Sequence, residues 1–432
     1  MQDKKVLNNL LGVLPNDDVL AQCIHCGMCL AACPTYDLTM NERSSPRGRI
    51  KMIKSVARGE MAISDVFADE MDFCLDCQAC ETACPAGVKY GSMVEAARVE
   101  IAHAGYTTWW GKIIKVVSLN YLLRYKSALK VAAKLLYFYQ NSGIQKLLHG
   151  SGLFKLLMPK MAEIDKLSPR VSKKFSEKLI PVNSLPKNEI KFKTAFLTGC
   201  VMDVAFAEIN KDTVDVLTLM GSSVFTPRKQ ECCGSIHAHN GDMVTAKTLA
   251  KINIDAFEKE EYDVLVANSA GCGAFMKEYG HVLADDKNYA EKAKKFSSKV
   301  KDLSEFVFEN LDQVKFKQLK ETLTYHDACH LAHTQRITQE PRAILNAIPG
   351  LTNVPLNDPT RCCGSAGVYN IMRYDDSMAI LKKKMDNIKA TETPTVLASN
   401  PGCILQLQYG TEKFDVPVKV LHPATILKKA LE

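Results

Sequence analysis

The apolar positions change period along the chain, and each change marks a different kind of structure. From residue 191 onward, short apolar runs alternate with helical patterns. Thr194-Ala-Phe-Leu-Thr-Gly-Cys200, Asp263-Val-Leu-Val-Ala267, Leu323-Thr-Tyr-His-Asp-Ala-Cys329 and Val396-Leu-Ala398 read as strands, and Met243 to Phe257 and Met378 to Ile388 as helices. Strands alternating with helices predict small parallel α/β units. Upstream, Ile113-Ile114, Val116-Val117, Tyr121-Leu122-Leu123 and Leu135-Leu136-Tyr137-Phe138 recur between lysines at helical spacing. Residues 1–22 predict a short helical lead-in, Arg47 to Val56 and Asp65 to Met71 two more helices, and Ser168 to Lys191 a linker rich in Lys, Ser and Pro. No uninterrupted apolar run approaches the roughly 18–20 residues of a membrane span.

The helical N-terminal part is punctuated by cysteines. Cys23, Cys26, Cys29 and Cys33 are followed by Pro34; Cys74, Cys77, Cys80 and Cys84 by Pro85. Each set reads C-x2-C-x2-C-x3-C-P, the run that holds a cubane [4Fe–4S] cluster in bacterial ferredoxins. Three thiolates two residues apart wrap one cube, and the fourth reaches the other cluster. Cys23, Cys26, Cys29 and Cys84 are therefore expected around one cluster, and Cys74, Cys77, Cys80 and Cys33 around the other. Zinc knuckles want two C-x2-C pairs on separate arms, which this pattern lacks. The 40 residues between Cys33 and Cys74 leave room for helices between the loops. The expected unit is an α-helical two-cluster ferredoxin domain over residues 1–103.

Composition is that of a globular chain, 47% hydrophobic and 24% charged over 432 residues, enough for about three domains. The net charge of +7 is concentrated. Ile101 to Ala162 contains no Asp or Glu but nine basic residues: Lys112, Lys115, Arg124, Lys126, Lys130, Lys134, Lys146, Lys155 and Lys160. A global nucleic-acid role is thereby a poor explanation. With Trp109 and Trp110 at its start, this segment (104–190 with the linker) has the make-up of a helix lying on anionic lipid; packing against a partner subunit or the rest of the chain explains it equally well. Lys4 and Lys5 precede only a short apolar stretch with no cleavage site, so no signal peptide is expected. Labile clusters and free thiols point to the reducing cytoplasm, with peripheral attachment to the cytoplasmic face of the membrane an open alternative.

The remaining cysteines form an internal repeat. Cys200, Cys232-Cys233-Gly234 and Cys272 recur as Cys329, Cys362-Cys363-Gly364 and Cys403, at offsets of 129, 130 and 131 residues. Two α/β domains follow, 191–316 and 317–432, expected to pair about a pseudo-twofold axis, with cysteines at the carboxyl ends of parallel strands meeting in one crevice. Three readings stand for these eight cysteines: a further iron–sulfur cluster in each copy, a catalytic thiol or disulfide site, or buried small hydrophobes. Adjacent cysteines make poor disulfides, which favours the ligand role. His237, His239, His326, His330 and His333 flank them, each able to donate a hydrogen bond to a cluster sulfur or relay a proton, though each alone is more often an ordinary polar residue.

Both halves together resemble the iron–sulfur subunits of glycolate oxidase over nearly the full length. The resemblance rests on the paired loops, on Ser45-Pro-Arg-Gly-Arg-Ile50, on Ser269-Ala-Gly-Cys-Gly-Ala-Phe-Met-Lys-Glu-Tyr-Gly280 and on Cys362-Cys-Gly-Ser-Ala-Gly367. The architecture, a ferredoxin domain plus a duplicated CCG domain, is also similar to anaerobic glycerol-3-phosphate dehydrogenase small subunits, lactate-utilisation proteins and heterodisulfide reductases. In the last of these, each copy ends in C-x2-C; here Cys272 precedes Gly273, Ala274 and Phe275, and Cys403 precedes Ile404, Leu405 and Gln406, so a fifth thiolate is missing. The resemblance implies an electron-transfer subunit that takes electrons from a flavoprotein partner oxidising glycolate or another 2-hydroxy acid. It would pass them to a quinone or another acceptor, with no catalytic substrate site on this chain. A heterodisulfide-reductase-like thiol enzyme, or the equivalent subunit of a glycerol-3-phosphate or lactate dehydrogenase, is the alternative.

Overall fold

The computed structural model describes residues 14–106 and 116–432. The lead-in before residue 14, and Trp109, Trp110, Lys112, Ile113, Ile114 and Lys115 of the basic segment, lie outside the described residues.

The N-terminal region is helical, over Asp17–Ala21, Pro34–Thr39, Pro46–Ala57, Asp65–Phe73, Ala79–Thr82 and Tyr90–Ala104. Several starts are written in the sequence. Asn16, Ser45 and Ser64 each accept a hydrogen bond from a first-turn N–H, and Pro46 stands where a missing N–H costs nothing. Ile50, Ile53, Val56, Phe67, Met71, Met93, Val94 and Ala97 bring the helices together in one apolar core, and Cys74 and Cys80 border it. The two cysteine loops are thus pinned to a rigid base.

Two α/β units follow. The first sheet holds β1 (Asn183–Ser184), β2 (Phe192–Leu197), β3 (Ser222–Phe225), β4 (Val264–Ala267) and β5 (Val300–Asp302), in the order β1-β3-β2-β4-β5. The second holds β6 (Thr322–His326), β7 (Thr352–Val354), β8 (Thr395–Ala398) and β9 (Lys419–Leu421), in the order β7-β6-β8-β9. All pairings are parallel except β1 on β3. The helix expected from Met243 to Phe257 has those ends, and the one expected from Met378 runs from Tyr374 to Lys389.

The stretch read as a linker is packed rather than free. It contributes β1, and Val171, Phe175 and Ile180 are buried. Its backbone is tied down as well: Ser172 N–H donates to the Val204 carbonyl and Ser176 N–H to the Asp203 carboxylate. Three well-spaced apolar anchors outweigh a polar average composition.

The units exchange helices. Ala207–Leu219, which follows the first central strand, packs on Pro423–Leu431, which closes the second unit. Leu303–Glu309, which closes the first unit, packs on Glu340–Ala347. The pairing is reciprocal, as a pseudo-twofold demands, and it creates one core shared by Phe196, Val214, Val266, Leu303, Leu323, Leu345, Leu397 and Leu427. The strands' opposite faces are covered separately within each unit.

His422 locks this interface. Its Nδ1 accepts from Ala424 N–H at 3.0 Å, and its Nε2 donates to the Asn268 carbonyl of the other unit at 2.8 Å. Burial pushes its pKa down to about 4, and the Asn268 carbonyl only partly offsets this. An unfolded histidine titrates near 6.5, so between these values the unfolded chain binds the proton more readily. Stability is expected to be complete above pH 6.5 and to fall by on the order of 3 kcal/mol on acidification to pH 4. Chemical denaturation across that range should give a flatter profile for His422→Gln; parallel profiles would remove His422 as the cause.

Candidate metal centres

The two N-terminal cysteine loops share one backbone. In each, the third and fifth residues are left-handed: His25 (φ 56) and Gly27 (φ 87) in the first, Asp76 (φ 51) and Gln78 (φ 57) in the second. Such angles cost a non-glycine residue about 1 kcal/mol or more, and the repetition of that strain shows what the loop is shaped for. The curl turns polar hydrogens inward. Asp76 N–H lies 3.3 Å and the Tyr90 hydroxyl 3.5 Å from the Cys74 sulfur.

Cys23, Cys26, Cys29 and Cys84 line one cavity. Cys33, Cys74, Cys77 and Cys80 line a second. The fourth cysteine of each loop has crossed to the other loop's cavity, and Cys80, Pro46 and Tyr90 face both. Four thiols around each of two adjoining spaces, with the fourth cysteine of each run crossed to the other, fit two cubane clusters rather than two zinc knuckles. Burial pushes the Cys29 thiol up to about 11 and holds Cys77 and Cys80 well above the usual thiol range. These groups stay protonated unless a metal takes the proton's place.

Beside the second cavity stands Arg49, a buried residue that motif reading did not single out. Its side chain is fully buried and lines the second cavity. Nε donates to the Glu70 carbonyl at 2.7 Å, Nη1 donates to Thr35 Oγ1 at 3.0 Å, and Nη2 lies 3.7 Å from the Glu70 carboxylate without a hydrogen bond. The signal was present as a charge on the apolar face of a helix whose other buried positions are Pro46, Ile50, Ile53 and Val56.

In the α/β units the cysteines gather at the carboxyl ends of the strands. Each set forms a continuous chain of neighbouring sulfurs: Cys200, Cys232, Cys233 and Cys272 in the first copy, and Cys329, Cys362, Cys363 and Cys403 in the second. The glycine after each pair is required. Gly234 (φ +94) and Gly364 (φ +89) are left-handed, and a Cβ would fall 3.2 Å from the Ala246 backbone in one and 2.8 Å from the Ser377 carbonyl in the other. Each pair is then held from behind. Tyr279 donates to the Cys233 carbonyl and Asn253 to that of Cys232; in the second copy Ser377 donates to the Gly364 carbonyl and Gln406 to Ser377.

The two copies meet different neighbours. Cys77 of the ferredoxin-like region shares an apolar cluster with Cys362 and Cys329 of the second copy, together with Phe73, Leu75 and Tyr369. Lys383 and Arg361 pair with Asp37, Arg373 with Asp69, and Thr82 with His333 across the same interface. The first copy's thiols lie instead beneath the basic segment. His237 sits against Cys232 while its Nε2 donates to the Leu119 carbonyl at 3.0 Å.

The flanking histidines separate by environment. His239 Nδ1 contacts the carboxylates of Glu95 at 2.7 Å and Asp76 at 3.0 Å, and these overcome burial to carry its pKa up to about 10. It is an imidazolium in an ion-pair network. The His330 ring lies tilted against it, with centroids 5.0 Å apart, and is pushed down to about 4, chiefly by burial. His333 is held between Thr82 and the Thr360 carbonyl. Two ring side chains approach copy thiols: His237 sits against Cys232, and His326 lies within 4.8 Å of the Cys363 and Cys403 sulfurs.

In the basic segment, Val116–Leu123 is a π-helix and Lys126–Asn141 an α-helix. Leu129, Ala133, Leu136 and Tyr137 pack inward on Val171, Phe175 and Val204. Val131, Leu135 and Phe138, on the other face, are exposed, as are Leu147, Leu156 and Leu157. Two of the lysines serve the fold: Lys126 and Lys130 pair with Asp203, and Lys130 also with Glu177. No helix among the described residues is long and apolar enough to cross a membrane.

Adjoining four-thiol cavities in a helical domain, followed by two cysteine-rich α/β units on a shared core, define an iron–sulfur electron-transfer protein. Family models agree: a 4Fe-4S dicluster domain matches residues 19–88, a glycolate oxidase iron-sulfur subunit linker region matches 110–168, and a cysteine-rich domain matches 194–277 and 323–408. The chain is 37% identical to a probable glycolate oxidase iron-sulfur subunit of Bacillus subtilis, over 99% of this chain and 98% of that protein. It is 28% identical to the glycolate oxidase iron-sulfur subunit of Escherichia coli, over 97% and 96%. Lactate utilization protein A of Bacillus cytotoxicus is 30% identical over 54% of this chain. The chain belongs to the family of glycolate oxidase iron–sulfur subunits.

A positive charge beside a redox centre stabilises its reduced, more negative form. Arg49→Gln is therefore expected to lower the midpoint potential of the centre in the second cavity by tens of millivolts, with iron content unchanged because Arg43 still pairs with Glu70 at 2.7 Å. An anaerobic redox titration followed by EPR reads this directly. An unchanged potential would mean the guanidinium only packs.

Proposed function

We propose that this chain is the electron-transfer subunit of a flavin-dependent 2-hydroxy-acid dehydrogenase acting on glycolate, carrying electrons from a flavoprotein partner to a quinone. Cys23, Cys26, Cys29 and Cys84 hold one [4Fe–4S] cluster, and Cys33, Cys74, Cys77 and Cys80 the other. Cys200, Cys232, Cys233 and Cys272, and Cys329, Cys362, Cys363 and Cys403, hold a further iron–sulfur centre in each cysteine-rich copy. Such centres, when bound, exchange single electrons with a two-electron flavin on one side and an acceptor on the other.

The observation that carries this reading is contiguity. The first cavity opens beside the exposed Cys26, it shares Cys80 and Tyr90 with the second, and Cys77 of the second packs against Cys329 and Cys362. Exposed Ile24 and Met28 beside Cys26 give that opening an apolar rim suited to a docking flavoprotein. Oxidation of the hydroxy acid belongs to that partner.

The basic segment brings the subunit to the membrane surface in this reading. Its exposed Val131, Leu135 and Phe138 form an apolar face, and Lys134, Lys146, Lys155 and Lys160 make no ion pair among the described residues. An apolar face rimmed by unpaired lysines suits the interface of an anionic bilayer. A quinone acceptor would then meet the chain near the thiols of the first copy.

Two experiments test this. Cys26→Ser or Cys77→Ser, in complex with the flavoprotein, should abolish reduction of an acceptor by substrate while flavin reduction persists; loss of flavin reduction as well would place part of the substrate site here. In flotation assays the chain should rise with phosphatidylglycerol vesicles and not with neutral phosphatidylcholine ones, and 0.5 M salt should weaken the binding. No lipid dependence would assign the exposed face to a partner subunit.

A further inference from the structure

The two cysteine-rich copies are not chemically equivalent. The last residue of β6 is His326, paired in register with Ala398 of β8. The same position of β2, paired with Ala267 of β4, is Leu197. Leu197 is a core residue of the first copy, packed among Phe225, Leu249 and Phe257. His326 occupies an equally dry place and is fully buried, yet neither ring nitrogen makes a well-formed hydrogen bond, although the Pro359 carbonyl lies nearby. Buried polar groups are almost always satisfied, and an unsatisfied one calls for an explanation such as an ion that belongs there.

The surroundings supply that explanation. A ring nitrogen of His326 and the sulfurs of Cys363 and Cys403 all lie within 4.8 Å of one another, and all three residues are buried. Three soft or borderline donors converging from a strand end, a cysteine pair and a helix can hold a transition metal. The sulfur chain continues from Cys363 through Cys362 to Cys329.

We propose that His326 is a metal ligand, joining Cys329, Cys362, Cys363 and Cys403 around the iron–sulfur centre that the second copy would hold. The inference rests on the reading that this copy holds such a centre. Because imidazole is neutral where thiolate is anionic, the centre carries one negative charge fewer than a thiolate in its place would give, and its potential is higher. The first copy has Leu197 at this strand position, and its own histidine, His237, approaches Cys232 instead from the helix that follows the cysteine pair.

The test uses the full chain purified anaerobically with its clusters, in wild-type, His326→Gln, His326→Cys and Cys362→Ser forms. Iron, zinc and sulfide are counted, midpoint potentials titrated, and the reduced proteins examined by pulsed EPR with and without ¹⁵N-histidine. We expect iron above the eight atoms of two cubanes, part of it lost in Cys362→Ser. We also expect a nitrogen coupling that changes with the label and is absent from both His326 variants. His326→Cys should keep its iron while its potential falls, which separates loss of a ligand from loss of the fold. Iron that is lost in Cys362→Ser, but with coupling and potential indifferent to His326, would overturn the ligand role alone. Iron unchanged in Cys362→Ser, or zinc in its place, would overturn both this inference and the reading on which it rests.

Discussion

Thiolates carry negative charge, and this fold places most of its thiols away from water. Charge in an apolar interior is expensive unless something opposite or hydrogen-bonding stands beside it. Metal is the main compensation, and the protein adds its own. Arg49 is buried beside the second N-terminal cavity, and Arg98 holds the carbonyls of Met71 and Cys74 while facing Asp76 at 3.7 Å. In the second copy, Lys384 is fully buried on the Asp358 and Pro359 carbonyls close to Cys362 and Cys363. The left-handed turns at His25, Gly27, Asp76 and Gln78 belong to the same solution, since they bend backbone N–H groups toward sulfur. Cations and strained loops would each be costly alone; around metal-bound sulfur they are mutually supportive.

The same constraint explains how the domains are joined. A redox centre must stay within reach of the next, so the helical domain cannot hang on a flexible tether. Arg373 over the Phe73 ring, Lys383 and Arg361 on Asp37, and His333 on Thr82 clamp it to the second copy, while Arg98 reaches the His239 carbonyl of the first. Symmetry in the shared core therefore coexists with asymmetry at the sites. The thiols of the second copy face the ferredoxin-like domain, and those of the first lie beneath the basic segment.

Much of this was legible in the sequence because metal ligation is local. The C-x2-C-x2-C-x3-C-P runs and the Cys-Cys-Gly repeat declare their chemistry within a dozen residues, and the strand and helix patterns around them announce parallel α/β units. Long-range packing has no such signature. Nothing near Cys77 tells that Cys362 will lie against it, and nothing in Tyr-His-Asp says that His326 ends in a dry pocket while His239 ends among carboxylates. Arg49 is the intermediate case, its burial readable from helix phase but its neighbours not. The segment before Lys191 misled because its mean composition is polar, although Val171, Phe175 and Ile180 are enough to bind it to the sheet.

The reciprocal helix exchange has a consequence for biosynthesis. Ala207–Leu219 finds its partner in Pro423–Leu431, roughly 200 residues later in the chain. At ordinary translation rates of 5–20 residues per second, that interval is about 10–40 s. Throughout it the first α/β unit emerges with an uncovered apolar face and an incomplete core, although its own four cysteines are already synthesised. Closure of the shared core thus waits for the last helix of the chain, long after the first unit's own strands are made.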